Sequence, residues 1–386
     1  MLLSALLWSE GRRELADEHA DRAAVLVAAA PAGKSSVWVR TRQASLALTA
    51  GDDARGLELA TKALALASEL GWEQGIGAAR ELIGMARVYM GDRGGLDEIE
   101  RAIEMALAAG VLGTLSRSYN SLSVAHQAIG DLRAGYGARL EAARLAEQVG
   151  SPNEVRWYRA TLTDFRFRFG EWDETLRSID EQVSEIEAGS PHYNSWQLYG
   201  LRAEIRLARG DLDGAIADAE ASLAAGRAVA DPQAVYFVLP VAAHVLSHTA
   251  ANARAVLLAR EHIDELARGV SMQFAMVNLP VLGRAARRLG LAGTLDDALE
   301  RRTRVPWTDA SRAYARGEFV VAAELLGQIG TEPDEADARL RAGERLVAEG
   351  RRAEADEQLD QALAFYRSVG AAHHVRECEA LMAESA

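Results

Sequence analysis

The chain has 386 residues, a formal charge of −13, 49% apolar residues and a single cysteine, Cys378. Its acidic charge is spread rather than clustered, which argues against a nucleic-acid backbone as the main partner. No apolar run reaches the roughly 18 to 20 residues of a membrane span, and one cysteine excludes an internal disulfide, which fits a reducing cytosol and a cytoplasmic location.

From the N-terminus, the first ordering signal is a glycine register. Gly11, Gly51, Gly91, Gly130, Gly170 and Gly210 follow one another at an almost constant spacing, and Gly290 resumes the phase beyond Ala250. An acidic residue comes next at Asp52, Asp92, Asp131, Glu171 and Asp211. A second set, Gly71, Gly110, Gly150 and Gly189, lies half a repeat behind, accompanied by Pro31, Pro152, Pro191 and Pro232. Two breaks per repeat with helical patterning between them predict two antiparallel helices, A and B, joined by a Gly-Asp turn. Glycine there takes the positive φ that stops helix A, and the carboxylate caps helix B. Helix B carries an apolar stripe of small residues, Leu57, Ala60, Leu64 and Ala67 in one repeat and Ala215, Ala219 and Leu223 in another.

The segments take their places in chain order. "MLLSALLW" lacks the basic region of a signal peptide. Only ten residues precede Gly11, so the first repeat reads as truncated. Its Leu2, Leu3, Leu6 and Leu7 stripe then implies the rear part of a longer protein or a face docked on a partner. "AAAPAGKSS" imitates a phosphate loop but has Ala28 where the first glycine belongs, and reads as an inter-repeat loop. "DFRFRFGEW" alternates like a strand, yet the repeat register makes it the end of a helix A. Leu239-Pro240-Val241 and Leu279-Pro280-Val281 recur one repeat apart, as kinks or as starts of shortened helices. His244 and His248 are four apart without an intervening glutamate or a third ligand, so no zinc-hydrolase site is expected. His373, His374 and Cys378 form a similarly incomplete cluster. Residues 1–292 thus read as one array of about 40-residue repeats. "GTLDDALERRTRVPWTDA" breaks it, and residues 293–386 resume with turns at Gly317 and Gly350. Lys34 and Lys62 are the only lysines, and with the alanine richness this suggests a GC-rich bacterial genome.

The small-Gly-Asp/Glu-x-x-x-Ala pattern resembles tetratricopeptide repeats of the long variety. The closing "ADARLRAGERLVAEGRRAEADEQLDQALAFYRSVGAAHHVRECEALMAESA" is similar to the C-terminal tail of bacterial signalling ATPases that carry nucleotide-cyclase or DNA-binding modules ahead of such repeats. The resemblance implies an all-α, right-handed superhelical solenoid of antiparallel helix pairs, elongated or curved in outline. It also implies a non-catalytic scaffold in a bacterial cytoplasm, without cofactor or metal. The expected partner is a protein or peptide, including ATPase or cyclase modules of the same or a neighbouring chain, and the alternative is a metabolite sensor. In such a superhelix helices A line the concave face, and the position six residues before each turn glycine points inward. Those positions are Ser45, Met85, Val124, Asp164, Glu204, His244 and Arg284, of which the last four form a polar ladder. With Asn120, Trp157, Tyr236 and Phe237 they make the candidate groove: Asn120, Trp157, Asp164, Glu204, Tyr236, Phe237, His244 and Arg284.

Overall fold

A computed structural model describes residues 3, 4, 7, 12–190, 192–269 and 276–383. Among the described residues there are twenty α-helices, one short 3-10 turn and no strand. Ten inner helices alternate with ten outer ones. The inner set runs Lys34–Thr49, Glu73–Tyr89, Leu112–Ala128, Pro152–Arg168, Ser195–Arg209, Pro232–Leu246, Leu279–Arg288, Pro306–Ala315, Glu332–Ala348 and Ala372–Ala383. Of the N-terminal stripe, Leu2, Leu6 and the register glycine Gly11 lie outside the described residues, as does Pro191. Leu3 is exposed and Leu7 is buried.

The turns work as their residue types require. Asp52, Asp131 and Asp211 accept the backbone N–H of Arg55, Ala134 and Gly214 at 3.0, 3.1 and 3.0 Å, each starting an outer helix. Outer-helix alanines Ala60, Ala67, Ala215 and Ala219 are at most 1% exposed, so these helices lie against the inner ones with little side chain between them. The Phe/Arg alternation is helix: Phe165, Phe167 and Phe169 are all buried, with Phe167 stacked on Trp172 at 5.8 Å. Lys34 caps no phosphate loop; it begins an inner helix and its ammonium sits 5.5 Å from the Trp72 ring centroid. The two proline repeats diverge. Pro240 is inside the helix Pro232–Leu246, whereas Pro280 is in the first turn of the shortened helix Leu279–Arg288.

The superhelix closes on itself. Repeats near the C-terminus stack on the Gly-Asp turns of the earlier repeats, so that Trp307 donates its indole N–H to the carbonyl of Gln127 at 2.6 Å. Arg209 donates to the carbonyl of Val369 at 2.9 Å, and Trp172 meets Phe365 edge-on at 5.8 Å. This gives the register glycines a second reason to be glycine. A Cβ at Gly130 would lie 3.0 Å from Pro306, and one at Gly170 3.0 Å from Phe365 and 2.9 Å from Glu332. A single hydrophobic core consequently runs from Leu132 to Cys378. The accessible surface is 15931 Å², against about 14,800 Å² for a compact monomer of 41.6 kDa. Of the elongated or curved outline expected of a solenoid, the closure gives the curved one. No helix among the described residues is long and apolar enough to cross a membrane.

Candidate functional site

The seven positions six residues before the turns divide between two cavities. Ser45, Met85, Val124 and Asp164 line the larger one, about 300 Å³, enclosed by the inner helices from Lys34–Thr49 to Pro232–Leu246 and by Val277. Asn120, Trp157 and Phe237 line it too. Glu204, His244 and Arg284 line the smaller, about 40 Å³, between the inner helices and the C-terminal repeats. Tyr236 belongs to neither lining; its ring meets His262 of the outer helix Asn252–Ala267 edge-on at 5.6 Å.

In the larger cavity the unusual feature is a surplus of donors. Arg42 Nε and one of its terminal nitrogens are buried without a hydrogen-bond partner. Burial lowers its pKa, opposed by the charge of Asp17. Arg139 is 2% exposed; its Nε donates to Ser123 Oγ at 3.1 Å and a terminal nitrogen donates to Asn120 Oδ1. Both partners are neutral, and burial pushes the guanidinium down to about 10 against the opposing influence of Tyr158 and Asp164. Asn194 Nδ2 and Trp196 Nε1 are likewise buried without an acceptor. The acceptors nearby are engaged: Glu81 takes hydrogen bonds from Ser118 at 2.6 Å and Ser121 at 2.8 Å, and Asp164 holds Arg168 at 3.2 Å. Trp157, Trp196 and Phe237 line the wall, with Tyr193 joining them from outside the lining; centroids are 5.1 Å apart for Trp157–Tyr193, 6.2 Å for Tyr193–Trp196 and 5.0 Å for Trp196–Phe237.

The rest of the polar ladder is spent on itself. Glu204 Oε1 accepts from His244 Nδ1 at 2.9 Å and Oε2 from Arg284 at 3.0 Å, while Arg284 also reaches Asp334 at 2.5 Å. Arg168, 1% exposed, joins the same network through the Val277 carbonyl at 2.9 Å, Asn278 Oδ1 at 3.1 Å and Asp334 at 3.7 Å. Burial drives the Glu204 carboxyl up, but His244 and Arg284 override it and hold it at about 2. Burial opposes the Arg284 charge, and Asp334 and Glu204 reverse that to raise its pKa. These charges tie the inner helices to the C-terminal repeats.

Next to this network the two histidine pairs of the sequence come together. His248 stands 5.2 Å from His244 and 6.4 Å from His373, whose neighbour His374 is 5.2 Å further on, centroid to centroid. Burial, with the charges of His244 and Arg288, pushes the His248 imidazole down to about 2, and its Nε2 has no partner. Cys378 is fully buried, and burial pushes its thiol up to about 12, which makes it unreactive.

Arg42, Glu81, Arg139, Asn194 and Trp196 were not among the sequence candidates. Two of them had a signal. Arg42 and Glu81 sit three or four residues before Ser45 and Met85, one turn back on the same helix face. Arg139 is on an outer helix, Leu132–Val149, and lines the cavity from there.

No protein-family model matches the chain, and the curated proteins gave no match either. Among solved structures it is similar to that of a Rap protein complexed with competence and sporulation factor, with a TM-score of 0.49 and 11% identity over 91% of this chain and 99% of that one. The yeast Tom70 structure gives 0.31 and 11% over 99% and 96%. A circular tandem repeat protein gives 0.15 and 14% over 99% and 93%. At these scores none of the three bears on function, and the tetratricopeptide-like solenoid stands on the helix pairs, turns and superhelical stacking of this chain itself.

Proposed function

We propose that the chain is a helical-repeat scaffold whose concave cavity binds an anionic, acceptor-rich stretch of a protein or peptide. The observation that carries this reading is the donor surplus: Arg42, Asn194 and Trp196 border one cavity with buried N–H groups that have no acceptor, and Arg139 beside them has only the neutral partners Ser123 and Asn120. Burial outweighs the nearby carboxylates for both guanidinium groups, Asp17 for Arg42 and Asp164 for Arg139, and a ligand carboxylate relieves that cost. Side-chain amides at Asn120, Gln127, Gln197 and Gln233 add groups that both donate to and accept from a peptide backbone, and the aromatic wall supplies apolar contact. The metabolite-sensor reading draws on the volume, since about 300 Å³ is the lower end of small-molecule pockets.

The finer assignment, a regulatory tail for a signalling ATPase or cyclase in a bacterial cytoplasm, rests on the closing sequence resemblance, the single cysteine and the arginine- and alanine-rich composition. Co-purification with such modules encoded beside it tests that context.

The cavity is tested by selecting from a random-peptide display library on the full chain, in parallel with Arg42→Glu. Enrichment of acidic peptides by the wild type and its loss in the variant is the expected result. A parallel set of small carboxylates and phosphates decides the second reading, and no enrichment in either arm refutes both.

A further inference from the structure

The geometry points to a transition-metal site bridging the end of the helix Pro232–Leu246 and the helix Ala372–Ala383, built from His248, His373, His374 and Glu377. Two pairs of histidines far apart in sequence meet here only because the superhelix closes. Neither pair alone has enough ligands; His248 from one, with His373, His374 and the nearby Glu377, makes four, while His244 stays on Glu204. The ligand atoms of His373, His374 and Glu377 all lie within 4.8 Å of one another. Imidazoles sharing one tetrahedral ion have centroids about 5 Å apart, given metal–nitrogen bonds of about 2.0–2.1 Å; His373 and His374 stand at 5.2 Å. His374 Nδ1 and Glu377 Oε2 are 3.2 Å apart, close to the roughly 3.3 Å between two ligands on such an ion, so the metal takes the place of the proton they share.

His248 supplies the fourth ligand. Its Nε2 is buried and unpartnered, and its ring stands 6.4 Å from His373, wider than the about 5 Å of two imidazoles on one ion, so binding draws the His248 ring toward the helix Ala372–Ala383. The surrounding groups orient the site. Tyr366 stacks on His374 at 4.6 Å, and Arg341 holds the other Glu377 oxygen at 2.6 Å. Arg288 and Arg376 face the histidines and oppose a cation, while the carboxylates of Glu377 and Glu204 offset them. An imidazole-rich set with one carboxylate suits Zn²⁺, Ni²⁺ or Cu²⁺ rather than Mg²⁺ or Ca²⁺. The bound ion fastens the last described helix to the inner wall of the superhelix, next to the Glu204–Arg284 network.

The test uses the untagged full chain, stripped with chelator and titrated with Zn²⁺ calorimetrically and with Co²⁺ as a spectroscopic probe. One equivalent is expected to bind, with Co²⁺ giving the intense visible absorption of four-coordinate geometry. Affinity should fall at least tenfold in His248→Ala and in His373→Ala, and stay unchanged in His126→Ala. Absence of saturable one-equivalent binding overturns the site. Loss with His373→Ala but not with His248→Ala puts the ion on one helix and overturns the bridge. Circular dichroism monitors folding. Should His248→Ala unfold, amide exchange of residues 372–383 in the wild type decides: slowing on Zn²⁺ addition supports the bridge, and no change refutes it.

Discussion

Glu204→Gln is the sharpest perturbation of the closed superhelix. The carboxylate is 8% exposed and takes charged hydrogen bonds from His244 on one oxygen and Arg284 on the other. Glutamine keeps the shape but offers one acceptor where there were two, and turns an N–H toward a donor. Arg284 keeps Asp334, so the full penalty of an orphaned buried charge is not reached, and a loss of roughly 2–4 kcal/mol is expected. The titration of Glu204 gives an independent figure. Its carboxyl is held at about 2 in the folded chain against 4.5 ordinarily, a shift worth about 3 kcal/mol. Because the folded value is the lower one, this stabilisation is complete above about pH 4.5 and is lost as pH falls towards 2. Urea unfolding at pH 7 and at steps down to pH 2.5 measures both. The variant should be less stable at pH 7 and its deficit should shrink on acidification. A variant within about 0.5 kcal/mol of wild type at pH 7, the scatter of an ordinary surface substitution, would refute the assignment of these charges to closure. A deficit independent of pH would refute it equally.

Four further substitutions have expected outcomes. Ala230 closes the helix Leu212–Val229 with φ 54, a left-handed conformation that the preceding helix end gives to glycine at Gly210; Ala230→Gly should stabilise by about 0.5–1 kcal/mol in urea unfolding. Gly170→Val should cost roughly 2–4 kcal/mol and raise the radius of gyration in solution scattering, since its Cβ meets Phe365 and Glu332 across the closure. Gly110→Val, also at positive φ but with nothing within 4 Å, should lose only the backbone part, about 1–2 kcal/mol, with no change in size. Arg139→Met should leave stability within about 1 kcal/mol of wild type or raise it, because an apolar side chain removes a buried charge whose partners are neutral, while weakening the anionic ligand.

The helix pairs were legible because their signals are short-range. A glycine, a capping acid and an alanine stripe act within one turn, and the register they set placed Ser45, Met85, Val124 and Asp164 along one cavity wall. Closure was not legible. It accumulates from small rotations between repeats, and nothing local in "VPWTDA" announces that Trp307 will reach the Gln127 carbonyl. The charge pairing followed from closure. Glu204 meets Arg284 across 80 residues and Arg284 meets Asp334 across 50, so a ladder that looked open to a ligand from its spacing is filled by its own members. Tyr236 shows the limit of reading a helix face by residue type, since its aromatic neighbour Phe237 lines the cavity and it does not.

The most direct measurement of the central claim is a titration of one display-selected acidic peptide, followed by tryptophan fluorescence, on four proteins: wild type, Arg42→Ala, Arg139→Met and Glu204→Gln. A ligand held by the cavity's two arginines should lose roughly 10- to 100-fold in affinity in each arginine variant, the worth of one charged hydrogen bond or pair. Glu204→Gln, kept under folding conditions, should bind as the wild type does. Equal affinity in both arginine variants and wild type, or a loss confined to Glu204→Gln, would contradict the claim and move the binding surface to the ladder.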